Sequence, residues 1–177
     1  MNAAARQTLC TKAWQFVVLV GVVSLFADMT YEGARSITGQ YLALLGASAT
    51  AVGIVAGLGE FIGYAFRLLA GIVADKTGRY WALTLFGYTV NVTAVPALAL
   101  AGRWEIAAVL MFAERFGKAL RTPARDAMLS YAASQTGRGI AFGIHEALDQ
   151  TGAVLGPLLV AIVLRWRNDY RFGFVTL

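Results

Sequence analysis

The chain has 177 residues, of which 58% are hydrophobic and only 14% charged, and its mean hydropathy is +0.62. A soluble globular chain carries about 25% charged residues, so this composition excludes a single water-exposed domain and fits a protein dissolved in lipid. The net charge of +5 and the pI near 9.7 do not indicate a nucleic-acid binder, because many of the basic residues lie inside apolar segments rather than along a solvated stripe.

A bilayer span takes roughly 20 mostly apolar residues, and five such stretches follow one another. The first covers residues 14–45 and breaks at Gly46-Ala47-Ser48. It has no small-residue cleavage site and runs on into charged residues, so it reads as a span rather than a cleaved leader. The second covers 50–74 and stops at Asp75-Lys76-Thr77-Gly78-Arg79. The third covers 80–101 and ends at Gly102-Arg103. The fourth starts at Trp104 and fades near Leu129, before a polar stretch from Ser134 to Arg138. The fifth covers 140–164 and meets Arg165-Trp166-Arg167-Asn168-Asp169. From Tyr170 to Leu177 a sixth span opens. So short a piece reaches only about 12 Å as helix, which leads us to expect a fragment of a longer protein.

These lengths predict an all-α, polytopic helical bundle occupying residues 1–177 as one unit. In hydrocarbon every backbone polar group needs an internal partner, which helices or closed barrels supply. The alternating segments of about ten residues that mark a barrel are missing. Many of the 19 glycines lie inside the spans, as close helix packing in lipid favours. Cys10 is the single cysteine and has neither a disulfide partner nor metal-ligand companions. A cytoplasmic N-terminus places Arg6, Lys12, Lys76, Arg79 and Arg138 inside, with Arg103, Arg165, Arg167 and Arg171 opposing the positive-inside trend.

The informative feature is the set of ionisable residues at membrane depth. Each costs about 2.5–3.5 kcal/mol near the bilayer centre unless it meets a partner or water. At about 100° per residue, Asp28, Tyr31, Glu32 and Arg35 share one face of the first span, and Glu60, Tyr64 and Arg67 share one of the second. In the fourth, Glu114, Lys118, Arg121 and Arg125 form a stripe, with Arg115 and Asp126 beside it. In the fifth, Gly152 and Gly156 lie near the line of His145 and Asp149, with Glu146 offset. Clustering on single faces predicts a polar interior, and seven-residue spacings favour ion pairs between helices over pairs within one. Each residue also has a plain structural reading as a buried ion pair. Arg121, Arg125 and Asp126 have a further one, beyond the hydrocarbon near the headgroups.

The loop after the second span, from Gly71 through Asp75-Lys76-Thr77-Gly78-Arg79 to Tyr80, resembles the Gly-x-x-x-Asp-Arg/Lys-x-Gly-Arg-Arg/Lys signature of the major facilitator superfamily. Tyr80 departs from it, standing where a second basic residue is usual. Gly143, Gly152 and Gly156-Pro157 in the fifth span look like the antiporter motif of that superfamily, although Val160-Ala161 replaces its terminal glycine pair. The fourth-span stretch from Glu114 to Leu129 is similar to one in uncharacterised bacterial permeases of the superfamily, and Arg115-Phe116-Gly117 matches its arginine-glycine motif loosely.

The resemblance implies the N-terminal six-helix half of a twelve-helix carrier, here five full spans plus the start of a sixth, in a bacterial inner membrane with its N-terminus in the cytoplasm. It implies proton-coupled movement of a small solute by alternating access, with a lean to efflux by antiport. Asp28, Glu32, Glu60, His145, Glu146 and Asp149 are the candidates for proton or cation coupling. Tyr31, Arg35, Arg67, Arg115 and Lys118 are the candidates for substrate contact or charge compensation. Gly71, Asp75, Lys76, Gly78 and Arg79 would form the cytoplasmic gate, with Asp75 binding a helix N-terminus or an arginine. No cofactor, metal or nucleic acid is expected. The expected partners are the bilayer, a small molecule, and either a C-terminal half or a second copy. Two other readings stand beside this one. One is a non-transporting half that only packs or regulates, and a chain complete at this length would have to dimerise or be inactive; the other is a membrane-embedded enzyme using His145, Glu146 and Asp149, although the second histidine of a zinc helix is missing.

Overall fold

The computed structural model describes the backbone of residues 3–177 and the side chains of residues 7–177, so the side chain of Arg6 lies outside the described residues. Six helices follow in order: α1 Ala3–Leu44, α2 Ala49–Thr77, α3 Tyr80–Leu98, α4 Trp104–Thr136, α5 Arg138–Arg167 and α6 Tyr170–Val175. No strand occurs among the described residues. The chain is a helical membrane bundle, and its surface says why. Leu19, Leu44, Phe61 and Leu68 are each more than 60% exposed. Leaving such a side chain in water forgoes about 1.5–3 kcal/mol, whereas against acyl chains it forgoes nothing.

Local chemistry sets the helix ends. Ser48 caps α2 by accepting a hydrogen bond from the Ala51 amide, 3.2 Å, and Gly78 ends it with φ +65°. Asn168 ends α5 in the left-handed region, and Asp169 caps α6 through the Arg171 amide, 2.9 Å. Tyr41 places its hydroxyl 3.0 Å from the carbonyl oxygens of both Leu98 and Ala101, covering the end of α3 where acceptors would otherwise be orphaned.

Several boundaries differ from the sequence expectation. Helix α1 begins well before residue 14, and α3 stops at Leu98, two residues after Pro96. The polar stretch from Ser134 is not a loop: α4 continues through Thr136, and the break is Gly137, whose φ of +99° suits a residue without Cβ. Serine, glutamine and threonine are tolerated in the last turn of a helix; the backbone change needs the glycine.

Helices α1, α2, α3 and α5 are long and apolar enough to cross a membrane on their own composition. Helix α4 is absent from that set because it carries the densest charge. It packs against each of α1, α2, α3 and α5, which clothe its polar side chains. The bundle is layered along its length. One apolar cluster gathers Ile37, Tyr41, Leu42, Val95, Leu98, Met111, Val160 and Phe174. A second, at the other end, gathers Ala13, Val17, Leu129, Ala132, Ala133 and Ala141. Most of the buried polar residues, among them Ser24 and Asp28 on α1 and Glu114 to Arg125 on α4, fall between the two.

Helices α1 and α5 make the closest contact. A Cβ added at Gly152 would collide with the Leu25 carbonyl oxygen, and one at Gly156 with that of Met29. Gly87 and Gly117 do the same for α3 and α4, where an added Cβ would come 2.6–2.7 Å from the facing carbonyl oxygen. Backbone approaches of this kind are open only to glycine. Gly143 is different: nothing lies within 4 Å of its would-be Cβ, so the first glycine of the fifth-helix motif packs nothing among the described residues. Helix α5 runs unbroken through Pro157.

Candidate functional site

The polar layer is built on α4 running antiparallel to α1. Tyr31 meets Arg115, Asp28 meets Lys118 and Arg121, and Ser24 meets Arg125, so position falls along one helix as it rises along the other. The α1 residues recur at three- or four-residue steps, which keeps them on one face.

At the centre, Arg121 donates from Nη2 to Asp28 Oδ1 at 2.9 Å, and Lys118 Nζ lies 3.4 Å from Asp28 Oδ2. Arg121 is fully buried and stacks on the Tyr88 ring at 4.6 Å. Lys118 sits 3.5 Å above the Tyr31 ring and 3.8 Å from Glu32. These cation–π contacts suit charges removed from water. From α5, Asp149 reaches the Asp28 carboxyl group and lies 3.7 Å from Arg125 Nη1.

One turn along α1, Ser24 is a junction of four helices. Its Oγ accepts from Arg125 Nη1 at 2.9 Å and lies 3.2 Å from His145 Nε2 and 3.3 Å from the Tyr88 hydroxyl. Arg125 also holds the neighbouring Asp126 carboxylate at 2.9 Å. Arg121, Arg125 and Asp126 are therefore joined to the polar layer, and Arg121 and Arg125 are buried inside the bundle.

Towards α2 the network opens. Arg115 donates a short hydrogen bond from Nη1 to Glu60 Oε1, and Arg35 Nη2 lies 3.1 Å from the same oxygen. Arg115 also donates to the Tyr31 hydroxyl, 3.3 Å, and Arg35 reaches back to Glu32 at 3.5 Å. Beside this bridge lies a pocket of about 70 Å³ lined by Tyr31, Arg35, Glu60, Gly63, Tyr64, Arg67, Arg115, Lys118 and Ala119. A second, of about 240 Å³, lies against the same bridge and adds Thr38, Gly39, Leu42, Val52, Ala56 and Met111.

Most sequence candidates thus converge: Asp28, Tyr31, Glu32, Arg35, Glu60, Arg67, Arg115, Lys118, His145 and Asp149. Glu146 does not. It is exposed, and its carboxylate accepts from Gln150 at 2.8 Å on the same helix. Glu114 also leaves its expected stripe, turning to α3, where Asn91 donates to it at 3.0 Å. The signature group at the end of α2, Gly71 to Lys76 on the helix with Gly78 and Arg79 after it, lies apart. Asp75 accepts from the Tyr80 hydroxyl at 3.3 Å rather than from an arginine or a helix N-terminus. Tyr80 is the residue that departs from the signature. Lys76 and Arg79 are exposed, and Gly71 makes only an ordinary contact with Pro123, 3.7 Å.

No role was read from the sequence for Ser24, Tyr88 or Asn91. Ser24 lies four residues before Asp28 on the same face, a signal that was present. The reach of Tyr88 and Asn91 into the layer depends on how α3 docks, and carries no such signal.

Comparison with known proteins gives the family. The chain is 55% identical over 152 residues to an uncharacterized protein of Mycobacterium tuberculosis, covering 86% of this chain and 37% of that protein; the same figures hold for one of Mycobacterium bovis. It is 32% identical over 162 residues to an uncharacterized MFS-type transporter of Methanocaldococcus jannaschii, covering 91% of this chain and 40% of that one. The chain therefore spans about two fifths of the length of the curated relatives it matches. No solved structure matches it. With its helices buried against a charged fourth helix and residues 17–177 matching the family, this chain is a membrane protein of the Major Facilitator Superfamily.

Proposed function

We propose that the chain forms the N-terminal half of a proton-coupled secondary transporter that moves a small solute by alternating access, with a lean to efflux by antiport. The observation that carries this reading is the inward turn of the α4 cations onto carboxylates of α1, α2 and α5, with open space beside the Arg35–Glu60–Arg115 bridge. Charges at membrane depth are costly unless they serve a path or hold one another, and here a held cluster adjoins an open one. Asp28 and Asp149 are the proposed proton site, being neighbouring carboxyl groups set among three cations. Glycine-lined backbone contact of α5 on α1 suits a half that moves as one rigid body against its counterpart. A C-terminal half, or a second copy, would cover the α1–α2–α4 face. The proposed setting is a bacterial inner membrane with the N-terminus in the cytoplasm.

The test uses the full-length protein in proteoliposomes with a pH-sensitive dye inside, challenged with a panel of small anions and drugs. At least one solute should drive proton movement, and Asp28→Asn should abolish it while leaving insertion intact. Solute flux that continues at the wild-type rate with a clamped, zero proton gradient and no proton movement would remove proton coupling. Asp75→Asn is expected to slow transport without affecting insertion, and full activity in that variant would remove the gate assignment.

A further inference from the structure

Arg67 is the cation of the polar layer that has no carboxylate. Arg115 has Glu60, Lys118 has Asp28 and Glu32, Arg121 has Asp28, Arg125 has Asp126 and Asp149, and Arg35 has Glu32 and Glu60. Among the described residues Arg67 has only the Tyr64 ring, 5.5 Å from its guanidinium carbon, and its Nε is buried without a hydrogen-bond partner. It lies ten residues before the end of α2, about 15 Å along the helix axis, well within a hydrocarbon core about 30 Å thick. Water or an anion must offset a guanidinium at that depth.

The space beside it fits an anionic head. The 70 Å³ pocket is lined by Arg35, Arg67, Arg115 and Lys118 against the single carboxylate of Glu60, which two of those cations already share. At about 30 Å³ per water, it holds a group the size of a carboxylate and little more. The remainder of a ligand would have to lie elsewhere. The 240 Å³ pocket across the Arg35–Glu60–Arg115 bridge offers Leu42, Val52, Ala56 and Met111 as apolar wall. Together the two reach roughly the lower end of small-molecule sites.

We propose that this pair of pockets binds a small organic anion, its carboxylate held by Arg67 with Arg35 and Lys118 and its apolar body seated against Leu42, Val52 and Met111. The inference deepens the transport reading of the same face and names the class of solute. Arg67 supplies two features that a lysine lacks: a planar fork that matches a carboxylate, and weak hydration that permits burial.

The experiment reads binding rather than flux, so the two readings can fail separately. Thermal unfolding of the purified full-length protein is followed with benzoate, its neutral isostere benzamide, octanoate and benzylamine. Benzoate or octanoate should raise the melting temperature at concentrations at least tenfold below any effect of benzamide or benzylamine. Arg67→Gln should melt no lower than wild type without ligand and lose the carboxylate response at least tenfold; Arg67→Lys should retain part of it. Equal responses to benzoate and benzamide, or no response to either carboxylate, would overturn the proposal. So would Arg67→Gln melting several degrees lower without ligand, because the arginine would then be paired with a carboxylate elsewhere in the longer protein. Carboxylate binding without proton movement in vesicles would count against proton coupling alone.

Discussion

Two parts of one polar layer use the same residue types to opposite effect. Around Asp28, Arg121, Arg125 and Ser24 the groups are sealed: each is less than 10% exposed, and each cation meets an acceptor. Around Arg35, Glu60 and Arg67 the side chains are looser, with Arg35 half exposed and Glu60 36% exposed, and space lies beside them. The sealed part ties α1, α3, α4 and α5 together; the open part leaves α2 with a cationic surface still to be answered. Buried ion pairs are costly to break, because removing one partner strands the other, whereas partly solvated pairs contribute little. In this conformation solvent access is therefore what separates the held charges from the open ones.

That contrast is easiest to break at Arg121. Arg121→Leu should destabilise the full-length protein by about 3–5 kcal/mol, since Asp28 loses its closest cation inside the bundle. Denaturant unfolding in mild detergent measures this, and a loss below about 1 kcal/mol would show that water reaches the cluster. Gly156→Leu comes next, at about 1–3 kcal/mol, because a side chain must force α5 away from the Met29 carbonyl; Gly143→Leu in the same assay should be close to neutral. Ser24→Ala should cost about 1–2 kcal/mol by leaving Arg125 without its Oγ acceptor, read as a lower unfolding midpoint at unchanged slope. The smallest effect is expected at Arg35→Gln, about 1 kcal/mol or less on the same scale, because that side chain is half exposed. A large loss at Arg35 would move that residue into the sealed class. Cysteines placed singly at Glu60 and Asp28 sharpen the boundary: a water-soluble maleimide should label the first readily and the second slowly.

Much of this was legible beforehand in particular residues. The spacing of Asp28, Tyr31, Glu32 and Arg35 put them on one face, and the structure has all of them facing α4 or α2. Gly152 and Gly156 were visible as small residues, yet equal in kind to Gly143, which packs nothing. Glu146 adjoined His145 in sequence and looked equally eligible, but one residue of rotation leaves it outside. Glu114 and Lys118 looked like members of one stripe; the Gly87–Gly117 crossing brings α3 close enough for Asn91 to take Glu114 away from α1.

The sequence by itself determined that the chain dissolves in lipid, how many helices it forms and which faces carry charge, because span length and a 100° step per residue are local properties. Only the tertiary structure decided which charge answers which. Partner choice depends on helix rotation, on depth and on which neighbour approaches, and these follow from glycine contacts between segments more than a hundred residues apart, such as Met29 with Gly156. Arg67 shows the limit most plainly: its sequence neighbours mark it as buried and charged, and only the folded bundle shows that no carboxylate among the described residues reaches it.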